Sequence, residues 1–444
     1  MARAKKEAAL TLEDRLQAAL VPDWEWPYKL PENWCWTYLT KAAECLDNFR
    51  KPINATERAG RNGNVPYYGA TGQVGWIDDF LTDEDLVLLG EDGAPFLDLI
   101  KDKAYLITGK AWVNNHAHIL RSLFGDTGNR YLLHYLNSFN YAGYVNGTTR
   151  LKLTRASMDT IPIPLPPLAE QQRIVDRIES LFAKLDEAKE KAQTVVDSFE
   201  TRKAAILHKA FTGELTAKWR EEHGVGMESW EKKSVGELCI SLKYGTAKKS
   251  DASGNVVVLR MGNLQQGEID WSDLAYSNDP DDIEKYKLFP GDVLFNRTNS
   301  AALVGKTAIY RGEHPAIYAG YLIKLDYDHD KIIGDYLNYA LNTLDAKKYC
   351  NSVKTDGVNQ SNINAKKIGA YSFNVPSIPE QEKIVSVIQK LLSKEQQSKE
   401  AAEAVLDQID LMKKSILARA FRGELGTNDP SEESAVELLK RTIL

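Results

Sequence analysis

The sequence predicts an α+β fold in which two α+β domains are separated by an antiparallel pair of long coiled-coil helices, with a pseudo-two-fold internal repeat. Two segments, 170–215 and 380–425, align without a gap and are identical at 20 of 46 positions. Each carries apolar residues at alternating steps of four and three, which is typical of a helix packed on another helix. Each follows short β-rich runs broken by Gly, Asn and Asp, which indicate an α+β domain.

Length and composition set the first limits on function. The chain has 444 residues, about three domains' worth, and its 56 Lys+Arg against 62 Asp+Glu give a net charge of −6. This balance excludes a polycation that binds nucleic acid through bulk charge alone. No signal peptide or transmembrane run is recognisable, and the four widely spaced cysteines indicate reduced thiols. We therefore expect a cytoplasmic protein.

The repeat divides the chain into six segments. They are a helical extension (1–23), a first α+β domain (24–167), a first helical spacer (168–222), a second α+β domain (223–378), a second helical spacer (379–425) and a tail helix (426–444). In the extension, Thr11 is a predicted N-cap, and Leu12, Leu16 and Leu20 share one face, as expected of a helix that docks on another surface.

The two spacer helices are delimited by proline and glycine. Proline precedes or opens each one, and each ends near a glycine, Gly213 or Gly423, suited to a left-handed C-terminal position. About 43 residues at 1.5 Å per residue would make a helix roughly 65 Å long. Charged or polar residues interrupt the seam at Arg202, Glu395 and Ser398. The predicted seam residues are Ile174, Ile178, Leu181, Leu185, Val195 and Phe199 in the first copy and Ile384, Ile388, Leu391, Val405, Ile409, Met412 and Ile416 in the second.

The two α+β domains are also related, although faintly. Each begins at a tryptophan, Trp34 or Trp230, and each has a tyrosine-rich helical stretch, starting at Tyr131 or Tyr336. The scaffolds match while the polar loops differ. This pattern is expected of one task performed on two different targets.

These motifs resemble those of the DNA-specificity subunits of type I restriction–modification systems. The sequence EQ-x-x-I-V opens each helix after a proline, Pro167 or Pro379, and A-F-x-G-E-L-T-x-x-W-R closes the first, whereas the second copy lacks the final Trp-Arg. The residues that carry the resemblance are Glu170, Gln171, Ile174 and Val175; Glu380, Gln381, Ile384 and Val385; and Ala210, Phe211, Gly213, Glu214, Leu215, Thr216, Trp219 and Arg220. The resemblance covers nearly the whole chain.

The resemblance implies a non-catalytic subunit within a larger complex. Each α+β domain would be a target recognition domain that reads one half of an asymmetric, interrupted DNA site, and the helices would set the gap. Two methyltransferase subunits would dock on this chain, and restriction subunits would join through them. S-adenosylmethionine, ATP and Mg²⁺ would be bound by those partners, with no cofactor in this chain.

Base recognition requires paired donors and acceptors on loops, commonly Arg on guanine and Asn or Gln on adenine. The candidates in the first domain are Tyr68, Thr71, Gln73, Asn114, Asn115, His116, Thr148, Thr149 and Arg150. Those in the second are Arg260, Asn263, Gln265, Asn296, Arg297, Asn299, Ser300, Asn359 and Gln360. Lys306 and Lys354 are candidate phosphate contacts, which position a protein without reading sequence.

Other functions find less support in the sequence. The run L-V-G-K-T at 303–307 lacks the first glycine of a phosphate-binding loop, since Ser300 stands there. His116, His118 and His134 do not form a convincing set of metal ligands, so no metal is expected. Two alternatives remain open: the specificity subunit of a related type IIB-like system, and a coiled-coil interaction scaffold that does not read DNA.

Overall fold

The computed structural model describes residues 11–358 and 360–443, which form two compact units. The first unit contains residues up to 193 and from 403 onward, and the second contains residues 194–402. Each boundary falls inside a long helical segment. Each unit therefore combines one α+β domain with parts of both spacer segments, which confirms the α+β class.

The described residues of the first unit, 11–193 and 403–443, contain twelve strands. Two antiparallel pairs, β1–β12 and β10–β11, accompany two four-stranded sheets, in the orders β2-β9-β6-β7 and β4-β3-β8-β5. The strands are β1 (Cys35–Tyr38), β2 (Ala43–Cys45), β3 (Val65–Gly69), β4 (Gly72–Ile77), β5 (Thr82–Asp83), β6 (Leu86–Gly90), β7 (Ala104–Ile107), β8 (Lys110–Val113), β9 (Ala117–Ser122), β10 (Val145–Asn146), β11 (Lys152–Leu153) and β12 (Pro162–Leu165).

The helices of the first unit cover its sheets and build its core. They are α1 (Leu12–Ala19), α2 (Leu39–Ala42), α3 (Ala55–Ala59), α4 (Gly125–Ser138), α5 (Arg155–Asp159) and most of α6 (Leu168–Asp197). The tyrosines of α4 pack with Ile174 and Ile178 of α6 and with Phe421 in one buried cluster. The α+β domain and its helices thus share a single core.

The second unit repeats this plan, with fourteen strands in residues 194–358 and 360–402. Its sheets have the orders β13-β26, β14-β23-β19-β21, β18-β15-β22, β16-β17 and β20-β25-β24. The strands are β13 (Glu231–Ser234), β14 (Cys239–Tyr244), β15 (Val256–Leu259), β16 (Leu264–Gln265), β17 (Glu268–Ile269), β18 (Tyr276–Ser277), β19 (Val293–Asn296), β20 (Thr298–Asn299), β21 (Thr307–Ile309), β22 (Ala316–Tyr318), β23 (Leu322–Tyr327), β24 (Thr355–Asp356), β25 (Ser361–Asn362) and β26 (Ser372–Val375).

The remaining helices complete the second unit and return the chain to the first. They are α7 (Phe199–Phe211), α8 (Ala217–His223), α9 (Val235–Leu238), α10 (Pro280–Tyr286), α11 (Gly334–Leu341), α12 (Leu344–Val353), α13 (Ala365–Gly369), α14 (Ile378–Ala420) and α15 (Ala435–Ile443). No helix in the described residues is long and apolar enough to span a membrane.

The two α+β domains have corresponding scaffolds. In each, one strand pair closes the domain beside the spacer, β1 with β12 or β13 with β26, in antiparallel register. In each, one parallel pair occurs, β3 with β8 or β15 with β22. The duplication predicted from sequence therefore extends through the strand order.

Within each unit the spacer segments pack antiparallel. In the first unit, Lys413 Nζ lies 2.5 Å from Asp186 Oδ1, and Lys189 Nζ lies 3.9 Å from Asp410 Oδ1. In the second, the Lys399 ammonium lies 5.1 Å from the centre of the Phe199 ring. Higher numbers on one segment meet lower numbers on the other, as an antiparallel pair requires.

The part of the first spacer that precedes Gly213 forms two helices, α6 and α7, rather than the single helix that was predicted. The break lies at Ser198, whose hydroxyl donates to the carbonyl of Thr194. Arg202 Nη2 donates to the carbonyl of Val195 at 3.0 Å, and Arg202 Nε donates to Glu395. Side chains that bond to backbone carbonyls in this way bend or interrupt helices.

Two predicted seam residues are wrong. Val405 is 43% exposed and Met412 is 46% exposed, whereas the following residues, Leu406 and Lys413, are partly buried. The buried track of α14 keeps a seven-residue spacing through Ala402, Ile409 and Ile416, and the second seam position lies four residues after each of these rather than three. The Lys413 ammonium lies 5.1 Å from the centre of the Phe182 ring, so its stem covers apolar surface.

The terminal helices dock on each other. Thr11 caps α1 through a capping box with Asp14, which confirms the predicted N-cap. Leu16 and Ala19 of α1 share a buried cluster with Ala435 and Leu439 of α15. Helices α1 and α15 therefore both belong to the first unit.

Candidate nucleic-acid interface

Three loops of the first unit converge around the end of β6. The ideal Cβ position of Gly90 lies 3.0 Å from the carbonyl oxygen of Ala70, in the β3–β4 turn. The backbone N–H of Glu91 donates to the carbonyl of His116, and the backbone N–H of Leu153 donates to the carbonyl of Glu91, both at 2.7 Å. These bonds join the end of β6 to the β8–β9 loop and to β11. Candidates far apart in sequence thus share one surface.

Asp92 organises two of these candidates. His116 Nδ1 lies 3.0 Å from Asp92 Oδ1, and Arg150 forms an ion pair with the same oxygen. Gly93 adopts a φ of 76°, and its ideal Cβ would lie 3.0 Å from Arg150 Nε, so this approach needs glycine. Arg150 remains 60% exposed and can exchange its carboxylate partner for a base or a phosphate.

A buried ion network lies beside this carboxylate. His118 is 1% exposed, with Nδ1 at 2.7 Å from Asp47 and Nε2 at 3.0 Å from the carbonyl of Leu153. Both ring nitrogens of His118 therefore face acceptor oxygens. Burial opposes ionisation of Glu91, but hydrogen bonds from Arg50 and Lys152 outweigh it and lower the pKa of Glu91. The loop that carries Asp92 is therefore rigidly supported.

The β3–β4 hairpin supplies a second edge of the surface. Thr71 and Gln73 are exposed, and Gln73 Nε2 donates to the carbonyl of Gly75 at 3.1 Å. The Tyr68 ring is half-buried against Tyr105, with centroids 5.8 Å apart. Thr148, Thr149 and Asn115 are exposed. We call the set Tyr68, Thr71, Gln73, Asn115, His116, Thr148, Thr149 and Arg150 the first loop surface.

In the second unit, β20, β25 and β24 bring another group of candidates together. Thr298 and Asn299 pair with Asn362 and Ser361 in antiparallel register. Lys354 Nζ donates to the carbonyl of Ala301 at 3.2 Å, while Ser300 and Gln360 are exposed. The Arg297 guanidinium stacks over Tyr244 at 4.8 Å. We call Arg297, Asn299, Ser300, Lys354 and Gln360 the second loop surface.

Other candidates of the second unit lie elsewhere. Lys306 Nζ donates to Gln265 Oε1 at 2.7 Å, and both residues line a cavity together with Lys203 of α7. Arg260 Nη2 donates to Asp273 at 2.9 Å. Lys306, Gln265 and Arg260 therefore lie outside the second loop surface, and each bonds to a neighbouring side chain.

Three predicted amide candidates are buried, and one lies outside the described residues. Asn263 Oδ1 accepts from the backbone of Arg260, and Nδ2 donates to two carbonyls, each at 2.9 Å. Asn114 is 8% exposed and accepts from the backbone of His116, and Asn296 has no exposed surface. Such amides shape loops rather than face a groove in DNA. Asn359 is the candidate outside the described residues.

Sequence reasoning missed the residues that hold these loops. Asp92 stands in the loop that ends the run D-L-V-L-L-G-E-D-G-A, but only the structure places it between His116 and Arg150. Tyr244 and Tyr321 are exposed beside Arg297, whose backbone N–H donates to the carbonyl of Tyr321 at 3.0 Å. Exposed tyrosine next to arginine is a signal that a scan for polar loops passes over.

One group of three potential metal ligands occurs in the described residues, namely Cys45, Asp47 and His118. Burial, followed by the charge of Asp47, raises the pKa of Cys45 to about 12, so this thiol stays protonated. Both nitrogens of His118 already have acceptors. This donor chemistry does not favour a metal, because metal binding requires thiolate and a free imidazole nitrogen.

The motifs that occur in both copies of the repeat meet in a buried contact beside each domain. Glu380 accepts from Thr216 at 2.7 Å, Arg220 at 2.6 Å and Trp230 at 3.0 Å. The opening Glu-Gln, the closing Thr-x-x-x-Arg and the first tryptophan of the domain therefore join at one carboxylate. Their function is to attach the second domain to its helices.

The equivalent contact in the first unit has no arginine. Glu170 accepts from Trp34 Nε1 at 2.7 Å and from Thr427 Oγ1 at 3.3 Å. Arg173 instead makes a bidentate pair with Glu432, with both bonds at 2.8 Å. The missing Trp-Arg of the second copy is thus replaced by a different ion pair from the tail.

Comparison with known proteins agrees with this architecture. The sequence model of one protein family, the type I restriction modification DNA specificity domain, matches residues 45–195 and 227–405. The chain belongs to this family. A putative type I restriction enzyme specificity subunit of Haemophilus influenzae, S.HindORF215P, is 27% identical over 367 residues, or 80% of this chain and 86% of that protein. The StySPI specificity subunit of Salmonella potsdam is 28% identical over 303 residues, 66% of this chain and 65% of its own length.

Solved structures share the fold. The HsdS subunit of Thermoanaerobacter tengcongensis has a TM-score of 0.59 at 19% identity, covering 90% of this chain and all of that one. A chain from a structure concerned with complex assembly and conformational transition of the type I R-M system has a TM-score of 0.63 at 18% identity, with the same coverage. The family match occurs twice, once in each domain, and the family's role is DNA specificity rather than catalysis.

Proposed function

We propose that this chain is the DNA-recognition subunit of a type I restriction–modification complex that reads an asymmetric site in two parts. The first loop surface reads one half and the second reads the other. The observation that carries this proposal is the duplicated scaffold: strand order and spacer contacts repeat, whereas the exposed loop residues differ. Different loops on one scaffold favour two different half-sites.

We further propose that the spacer helices keep the gap between the half-sites constant. Helix α14 contains 43 residues, about 65 Å at 1.5 Å per residue, and DNA presents the same face about every 34 Å. Two methyltransferase subunits would dock on this chain in the cytoplasm, and restriction subunits would join through them. Those partners would hold S-adenosylmethionine, ATP and Mg²⁺.

Arg150 provides the first test of the proposal. Arg150→Ala removes an exposed guanidinium from the first loop surface, so we expect DNA binding by the complex with its methyltransferase to weaken by about 1–3 kcal/mol. Arg155→Ala is the matched control, since Arg155 pairs with Asp159 on α5 outside that surface. Fluorescence anisotropy on a duplex carrying the methylated site, at one salt concentration, measures both. If Arg150→Ala and wild type bind DNA with equal affinity, Arg150 does not contribute to DNA binding by the first loop surface.

A further inference from the structure

The second unit contains an open groove of about 880 Å³ beside α7. Its apolar lining includes Phe211, Phe373 and Leu344, and its rim carries charged side chains such as Lys232 and Lys348. Ala204, Ala205 and Ala340 contribute small side chains to the walls. The groove is large enough for an aromatic side chain with its flanking backbone.

Internal homology identifies the same place in the first unit. Lys232 faces Asn374 in the strand pair of the second unit, as Trp36 faces Pro164 in the first. The Tyr336 hydroxyl donates to the carbonyl of Asn374, as the Tyr131 hydroxyl donates to that of Pro164.

The helices of the two units correspond in the same way as these strands. Phe211 contacts Tyr336 with ring centroids 4.9 Å apart, and Phe421 contacts Tyr131 at 5.3 Å. The gapless repeat of 210 residues relates Phe211 to Phe421 and Thr212 to Arg422. The two sites can therefore be compared residue by residue.

In the first unit this place is filled by the chain itself. The Tyr28 ring packs edge-on against Trp36 at 5.0 Å, and the Arg422 guanidinium lies 5.3 Å from its centre. Trp36 and Arg422 correspond to Lys232 and Thr212, and both of the latter line the open groove. The position of Ala340 is taken in the first unit by the bulkier Tyr135. Tyr28 thus covers the end of the first-unit site that Trp36 and Arg422 line, whereas the corresponding end of the second groove, at Lys232 and Thr212, is open.

The second unit has no spare segment to do the same. Residues 214–229, which precede Trp230, form two short 3₁₀ helices and α8, and they place Thr216 and Arg220 on Glu380. In the first unit, the segment that leads to Tyr28 has one short 3₁₀ helix, Asp23–Glu25, flanked by extended backbone at Pro22 and Trp26, and the Trp26 indole donates to the carbonyl of Val21 at 2.9 Å. Within residues 194–358 and 360–402, no segment therefore occupies the second groove as Tyr28 occupies the first-unit site.

We propose that this groove binds a partner protein that inserts a tyrosine or tryptophan from an extended, proline-containing segment. The inserted ring would lie against Phe211 and Phe373 and beneath the ammonium of Lys232, as Tyr28 lies against Trp36 and Arg422. The inference goes beyond DNA recognition and does not depend on which bases are read.

A peptide with the sequence of residues 21–30, VPDWEWPYKL, is the probe. Labelled with fluorescein, it should bind the full chain saturably in an anisotropy titration. Binding should weaken at least tenfold for Ala205→Trp, which fills the groove from an exposed position of α7. It should weaken similarly when the peptide tyrosine is replaced by alanine. Ala401→Trp, at an exposed position of α14 that does not line the groove, should bind like wild type.

Two outcomes would overturn the proposal. The first is absence of saturable binding, or binding that Ala205→Trp leaves unchanged while thermal unfolding shows both variants folded. The second is a wild-type dimer in sedimentation that Ala205→Trp abolishes, because the occupant would then be a second copy of this chain.

Discussion

Glu380 and Glu170 occupy equivalent positions in the repeat, and both carboxylates are fully buried. Glu380 is paired with Arg220, whereas the neighbouring arginine of Glu170, Arg173, binds Glu432. Burial raises the pKa of Glu170, although hydrogen bonds from Trp34 and Thr427 act in the opposite direction. The same sequence motif therefore has different electrostatics in the two units.

This difference predicts unequal effects of one substitution. Glu380→Gln leaves the buried Arg220 charge without a counter-ion and should cost about 3–5 kcal/mol in unfolding free energy. Glu170→Gln leaves no such charge and should cost much less. Denaturant unfolding of both variants at pH 7 measures the difference. Equal destabilisation would contradict the assigned role of Arg220.

Glu170 also predicts a dependence on pH. Because its pKa is raised in the folded state, its stabilising contribution is complete below about pH 4.3, the ordinary glutamate value, and is lost as the pH rises through the folded value. Glu170→Gln mimics the protonated form. The melting temperature of this variant relative to wild type should therefore rise between pH 4 and pH 7. A difference that does not change with pH would contradict the raised pKa of the buried Glu170 carboxyl.

Residue-level prediction from sequence succeeded where local rules apply. Thr11 was predicted as an N-cap, and Gly213 and Gly423 have the positive φ values expected of them. It failed for the amides: Asn263 and Asn296 stand in polar loops, yet their side chains are buried. Burial of a loop side chain depends on which other loops fold over it, and a single sequence does not contain that information.

At the scale of elements, the interruptions of the two spacer seams compensate each other. Arg202 of α7 pairs with Glu395 of α14, and both side chains are partly exposed. The seam was predicted from apolar spacing, which marks these positions only as defects. The pairing and the break at Ser198 depend on the antiparallel register, which sequence periodicity does not specify.

The Arg202–Glu395 pair predicts a non-additive effect. Glu395→Ala leaves Arg202 unpaired in the seam and should cost about 1 kcal/mol, since the pair is partly solvated. The double variant Arg202→Leu/Glu395→Leu should be at least as stable as wild type, because apolar residues suit this position. Glu187→Ala, which breaks an exposed pair with Lys191 on α6, is the control and should leave stability unchanged. A double variant that is less stable than Glu395→Ala in denaturant unfolding would argue against the seam position of the pair.

The spacer helices predict the length of the gap between half-sites. One heptad inserted after Ala192 and another after Ala402 add about 10.5 Å to each spacer, close to three base pairs at 3.4 Å each. Both alanines are buried, so the inserted heptads must continue the apolar seam. Sequencing of methylated sites should show a gap longer by about three base pairs. An unchanged gap would refute the proposed role of the helices.

For the whole molecule, the duplication was predictable because 46 aligned positions and their flanking motifs repeat along the chain. The boundaries of the compact units were not, since each lies inside a helical segment that sequence treats as continuous. The docking of α1 on α15 was also not predictable, because the apolar face of a helix does not specify which other helix it packs against. Periodicity specifies elements, and tertiary contacts specify how distant elements combine.

The central claim is that each α+β domain reads its own half of the DNA site independently. The most direct measurement replaces residues 24–165 with the corresponding domain of another family member and maps methylated adenines in cells that also produce the methyltransferase. We predict that one half of the methylated sequence changes, while the other half and the gap stay as in wild type. A change in both halves, or in neither, would contradict the claim.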